Sequence, residues 1–157
     1  MPASEEVRVF VERFGSALTE AGMPRLPARV FAALLADDDG RMTSAEIAEN
    51  LDVSPASVSG AVKYLAQTHM LHRERQAGTR RDVYAVRDET WHDAMVRSRS
   101  TYVPILDALV SGVSAVGGQG TPAGTRLALS AEFLQYVSDE MVKIGERWDE
   151  RMRARST

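Results

Sequence analysis

Between residues 43 and 86 two helix starts, a tight turn and two strand-like runs follow one another directly, and that order leaves few folds open. Thr43 with Glu46 three residues on is a capping box, in which each side chain satisfies the other's free backbone N–H. Met42 and Ile47 occupy the two positions of a hydrophobic staple. A short helix is expected from Thr43 and Ser44 to about Leu51, then a turn through Asp52, Val53 and Ser54. Ser54 is an N-cap residue, and Pro55 suits the first helical position, where its missing N–H costs nothing. The second helix is expected to reach about His69, with Val58, Ala61, Val62, Leu65 and His69 on one face. Residues 71–75 and 83–86 read as two strands around an arginine-bearing loop at 76–82. The expected fold is mainly α with a small β-wing: a helix-turn-helix followed by a basic hairpin. Such a pair of elements fits the grooves of duplex DNA.

The face of the second helix opposite its apolar stripe carries Ala56, Ser59, Gly60, Lys63 and Gln67. It has no acid and no large apolar group. A helix packed only on a surface more often shows Glu, Lys and Arg there, whereas small polar residues with one lysine suit close approach to base edges. The net charge of −3 is unevenly spread. Residues 1–52 hold 5 basic and 10 acidic side chains, net −5; residues 88–157 hold 8 and 10, net −2. Residues 53–87 hold Lys63, Arg73, Arg75, Arg80, Arg81 and Arg87 against Glu74 and Asp82, net +4. Positive charge gathered where the hairpin and second helix lie is the footprint of phosphate contact. Arginines that merely solubilise an exposed hairpin are the plainer alternative.

Other functions find little support. With 0 cysteines, disulfides, zinc–thiolate sites and thiol redox sensing are excluded. His69, His72 and His92 are too few for a metal site, and Asp37-Asp38-Asp39-Gly40 lacks calcium-loop spacing. No Ser/His/Asp set or phosphate-binding glycine loop appears, so neither an enzyme nor a cofactor is expected. No apolar run approaches the length of a membrane span. The first residues have neither the basic region nor the apolar core of a secretory signal, which makes the cytoplasm the expected compartment.

The remaining sequence is helical. Residues 4–21 repeat Val7, Phe10, Val11, Phe14, Ala17 and Leu18, and Gly22 can end that helix. Residues 23–27 read as a rigid link, with Pro27 opening a helix that buries Val30, Phe31, Leu34 and Leu35. From residue 88 a long helix is expected with Trp91, Met95, Tyr102, Ile105, Leu106, Leu109, Val113 and Val116 on one side. Pro104 implies a kink or two abutting helices. Residues 117–124 read as a loop, and a last helix from about Thr125 to Arg153 places Leu134, Val137, Met141, Ile144 and Trp148 at steps of three and four. That is an a/d seam. A small winged unit has little core to offer it, so the seam is expected to meet a second copy, together with Val7, Phe10 and Phe14. The implied division is 1–22 for a dimerisation helix, 23–87 for the DNA-binding domain and 88–157 for a helical dimerisation region.

With these residues in view, the chain resembles winged helix-turn-helix regulators of the MarR type, most of all the GbsR-like branch, which includes regulators of osmolyte-uptake genes. The likeness covers roughly residues 4–155. It is carried by Arg25-Leu26-Pro27-Ala28-Arg29-Val30, by Ser54-Pro55-Ala56-Ser57-Val58-Ser59, by Gly78-Thr79-Arg80-Arg81-Asp82-Val83-Tyr84 and by Gly120-Thr121-Pro122-Ala123-Gly124. The resemblance implies a homodimer on a pseudo-palindromic operator and a ligand pocket between the dimer helices and the DNA-binding domain. The Asp-x-Arg wing signature of the wider family is absent; Arg80-Arg81-Asp82 stands in its place, leaving the minor-groove arginine open between Arg80 and Arg81.

The functional expectation is a sequence-specific DNA-binding transcriptional regulator, a homodimeric repressor released by a small molecule. The alternative is a winged-helix protein–protein module that binds no DNA. Thr43, Ser44, Ser54, Ala56, Ser57, Ser59, Gly60, Lys63, Arg73, Arg75, Thr79, Arg80 and Arg81 are the expected DNA contacts, with Thr43 and Ser44 holding a phosphate at a helix N-terminus. For an effector, Trp91, Tyr102, Tyr136 and Trp148 offer an aromatic cage for a quaternary ammonium group, though the same positions suit core packing.

Overall fold

The computed structural model describes residues 4–97 and 99–156. Its chain divides into two compact units, Met1–Trp91 and His92–Thr157.

The first unit begins with helix α1, Glu5–Glu20, capped by Ser4, whose side chain accepts from the Val7 N–H. Gly22, at φ 107°, supplies the left-handed turn that ends it. Helix α2, Arg25–Leu35, packs against α1. It starts two residues before the expected Pro27, which lies inside the first turn; the N–H groups there have no intrahelical partner, so a proline costs no hydrogen bond. Val30, Phe31 and Leu34 are fully buried, while Leu35 is only half-buried.

A short strand that the sequence reading missed follows: β1, Arg41–Thr43. Then come α3, Ser44–Leu51, and α4, Pro55–Gln67. The capping box forms as expected, with the Thr43 N–H donating to the Glu46 carboxylate (2.6 Å) and the Glu46 N–H to Thr43 Oγ1 (3.3 Å). Those bonds favour the charged carboxylate, first the backbone bond and then the Thr43 hydroxyl, and hold Glu46 below the usual carboxylate range. Asp52 turns the chain in the left-handed region at φ 53°. Helix α4 stops short of His69, which sits beyond the C-cap Thr68 at φ 59°, half-buried, and so is not part of the apolar face. That face is Val58, Ala61, Val62 and Leu65, all buried.

Strands β2, His72–Arg75, and β3, Asp82–Ala85, complete a three-stranded antiparallel sheet in the order β1-β3-β2. Asp82 belongs to the strand opposite Arg75, so the wing loop is 76–81, one residue shorter than expected. Trp91 meets Phe31 edge-on, ring centroids 5.5 Å apart.

Helix α5, Thr90–Arg97, opens in the first unit and carries into the second. Beyond it α6, Arg99–Ala115, packs against α7, Pro122–Arg155. Pro104, where a kink or a boundary between two helices was expected, lies inside α6, and Ser98 between α5 and α6 is outside the described residues. Helix α7 begins three residues before the expected Thr125: Thr121 is its N-cap and Pro122 its first residue. Gly124 is required there, because a Cβ would fall 1.9 Å from the Gly118 carbonyl oxygen. The buried positions of α7 are Gly124, Ala131, Ser138 and Gly145, spaced by sevens. A Cβ on Gly145 would stand 2.9 Å from Val96 of α5, so small residues mark the line along which neighbouring helices approach.

Candidate nucleic-acid interface

Ser54 caps α4 by accepting from the Ser57 N–H at 3.2 Å, and the two hydroxyls lie 2.8 Å apart. Both serines are therefore already engaged at the helix entrance. Ala56, Ser57, Ser59, Gly60, Lys63 and Gln67 are all exposed. A Cβ on Gly60 would meet nothing within 4 Å. No packing inside the chain demands a glycine there.

The wing separates its arginines into two groups. Arg73 is held by Asp82 at 2.5 Å across the β2–β3 ladder, a bond that raises its pKa. Arg41, brought alongside by β1, is paired with Glu74. Glu74 also meets His72 Nε2 at 2.7 Å, and its pKa is lowered first by that His72 bond and then by Arg41. Arg75, Arg80 and Arg81 are exposed and have no ion pair among the described residues. Thr79 serves the turn: its hydroxyl donates to the Gln76 carbonyl at 3.3 Å and accepts from the Arg81 N–H at 3.2 Å. Arg41, Glu74 and Asp82 were not singled out from sequence as parts of this surface. Arg41 was missed because β1 was, and the one local hint is the alternation of exposed Arg41 with buried Met42.

At the entrance of α3 the Thr43 N–H and hydroxyl are both committed to Glu46 (2.6 and 2.8 Å). A phosphate there would face that carboxylate, which leaves the Ser44 N–H as the remaining donor of the expected pair.

Of the expected interface residues, Val7 and Phe14 are half-buried and Phe10 is 43% exposed, stacked on Phe14 at 5.5 Å. In the second unit Leu134, Val137 and Met141 are half-buried, while Ile144 and Trp148 stay 47% and 38% exposed. Among the described residues no ring contact joins Tyr102, Tyr136 or Trp148 to another aromatic, and Trp91 is engaged with Phe31. No cluster of metal-ligating side chains and no helix long and apolar enough to cross a membrane occurs among the described residues.

Residues 21–82 match the family model described as MarR family, and residues 89–151 match that of an MmpR5-like MarR family transcriptional regulator. The chain belongs to the MarR family. Across 96% of its length this MarR-family chain is 26% identical to the HTH-type transcriptional regulator MmpR5 of Mycobacterium tuberculosis, of which it covers 93%. A crystal structure described as a transcriptional regulator aligns with 92% of the chain and 99% of its own at a TM-score of 0.84 and 24% identity; that likeness speaks for the fold. MarR-family proteins are transcriptional regulators rather than enzymes, and this one is a DNA-binding regulator with a winged helix.

Proposed function

We propose that this regulator acts as a homodimeric repressor in the cytoplasm, released from a pseudo-palindromic operator by a small molecule. The observation that carries the DNA-reading part is the pairing of an open, acid-free face on α4 with three wing arginines, Arg75, Arg80 and Arg81, that have no ion pair among the described residues. On this reading α4 enters the major groove, where Ser57, Ser59 and Lys63 reach bases or flanking phosphates, and Gly60 lets the backbone come close. The wing crosses to the adjacent minor groove, where Arg80 or Arg81 is inserted. Exposed Phe10, Ile144 and Trp148 support an interface with a second copy, which sets two recognition helices about one helical turn of DNA apart. Within the family, segments 78–84 and 120–124 support a place in the GbsR-like branch, whose operators and effectors would then be the first to try.

The test is a set of binding isotherms on operator and scrambled duplexes at several salt concentrations. Gly60→Glu should abolish binding with the melting temperature nearly unchanged. Lys63→Ala should cost about 1–3 kcal/mol on the operator and much less on scrambled DNA. Arg75→Ala should lower the salt slope by roughly one unit on both duplexes. Wild-type binding by all three variants would remove α4 and the wing from the interface.

A further inference from the structure

Where α1 crosses α2 the first unit holds a cavity of about 280 Å³, open to solvent on one side. Glu12, Ser16 and Glu20 of α1 line it opposite Arg25 and Arg29 of α2. Gly15 forms part of its wall: a Cβ there would press to 3.2 Å from Arg29 Cγ, so the glycine lets the helices cross with the arginine stem between them. The two signs of charge are balanced. Arg29 is largely covered, 23% exposed, and its guanidinium takes Glu12 at 2.7 Å. At the rim Glu20 and Arg25 are exposed and have no ion pair among the described residues.

We propose that this cavity binds a small zwitterion of the free α-amino-acid class, carboxylate toward Arg25 and Arg29, ammonium toward Glu20 and Glu12. A simple anion would meet two carboxylates and a simple cation two guanidinium groups; only a molecule carrying both charges meets each with its opposite. The Arg fork suits a carboxylate, and the Ser16 hydroxyl adds a hydrogen-bond partner. The volume lies just below the range of drug-sized pockets, which limits the occupant to about ten heavy atoms. Arg29 also gives the site a route to the DNA-reading helices. Its Nη2 donates to the Leu51 carbonyl at 3.5 Å, at the last residue of α3, just before the left-handed turn at Asp52. A cation there favours the helix C-terminus, and α2 itself packs against α4. A ligand carboxylate that claims the Arg29 N–H groups withdraws them from Leu51, so occupancy and the α3–α4 turn are linked, and the linkage is reciprocal.

This inference rests on the reading that a small molecule releases the regulator, and its test keeps the two apart. The full chain is titrated calorimetrically with the common amino acids one by one, with inorganic phosphate as the anion-only probe and putrescine as the cation-only probe. At least one amino acid should bind with a Kd below about 1 mM, at least tenfold more weakly to Arg25→Ala and to Glu20→Gln, while phosphate and putrescine give no saturable heat. That amino acid should weaken operator binding by wild type. Arg29→Lys, which keeps the charge but loses the fork, should bind it more weakly and, even when saturated, no longer pass the effect to DNA. No saturable amino acid, equal binding by the anion or cation probe, or indifference to both rim substitutions overturns the site, with DNA binding in the absence of ligand untouched. Binding that follows the rim variants but leaves operator affinity unchanged overturns the route through Arg29, while release by a molecule bound elsewhere is judged separately by its own effect on operator binding.

Discussion

The two units differ in how they treat apolar surface. In the first, Val30, Phe31, Leu34, Ile47, Val58 and Leu65 are fully buried around a sheet of only three strands. In the second, the longest helix buries small residues, Gly124, Ala131, Ser138 and Gly145, and leaves Leu129, Phe133, Tyr136, Ile144 and Trp148 between 38% and 65% exposed. The first unit finishes its core with its own residues. The second places its close-packed face on helix neighbours and keeps large apolar side chains outside, where the proposed second copy would cover them. Stability in one unit should depend on the core and in the other on protein concentration.

The harshest test of that contrast is Phe31→Ala. Removing a ring at 0% exposure that meets both Phe14 and Trp91 should cost about 3–5 kcal/mol, read as early loss of the winged unit in chemical denaturation at any protein concentration. Next is Ile144→Asp with Trp148→Asp. Both side chains are exposed in the single chain, so folding should survive while sedimentation shows association weakened by about 2 kcal/mol or more. Wild type sedimenting as a monomer at micromolar concentration would end the contrast and the two-half-site reading together. Smaller is Gly124→Ala: the loop must rebuild around a Cβ that now meets the Gly118 carbonyl, and thermal melts should show a loss of about 1–3 kcal/mol in the helical unit.

The mildest is the capping box. Thr43→Ala should cost about 1 kcal/mol by denaturant titration at neutral pH. Because folding lowers the pKa of Glu46, its share of stability is present above the ordinary carboxylate range and is lost as pH falls through the folded value. The stability gap between wild type and Glu46→Ala should therefore narrow in acid, and a gap that stays constant would mean the carboxylate bonds contribute nothing.

How legible each element was in the sequence follows from where its information lies. Helices α3 and α4 announce themselves because their start signals are local: Thr43 with Glu46, and Ser54 before Pro55. Strand β1 does not, since three residues carry no period and its partner, Ala85 opposite Arg41, is distant in sequence. With β1 went Arg41 and its pairing with Glu74, so the sequence shows which wing residues are basic but not which are already neutralised by Asp82 and Glu74. The start of α7 was misplaced because Gly120 and Gly124 look like loop residues. Thr121 and Pro122 are the stronger signal, and Gly124 is small for the sake of Gly118. His69 fell off its helix because a left-handed exit leaves no mark at a histidine.

The three rungs of β1 on β3, Arg41 to Ala85, Met42 to Tyr84 and Thr43 to Val83, enclose α3, α4 and the wing in a single closed loop. Thr43 is at once the last residue of that strand and the cap of α3. Closing so long a loop is a slow, non-local event, unlike the formation of the helices inside it. In the finished protein the β1 amides and the first turn of α3 should exchange with solvent together, as one cooperative unit: whatever opens the strand unfastens the entrance to α3 and α4 in the same step.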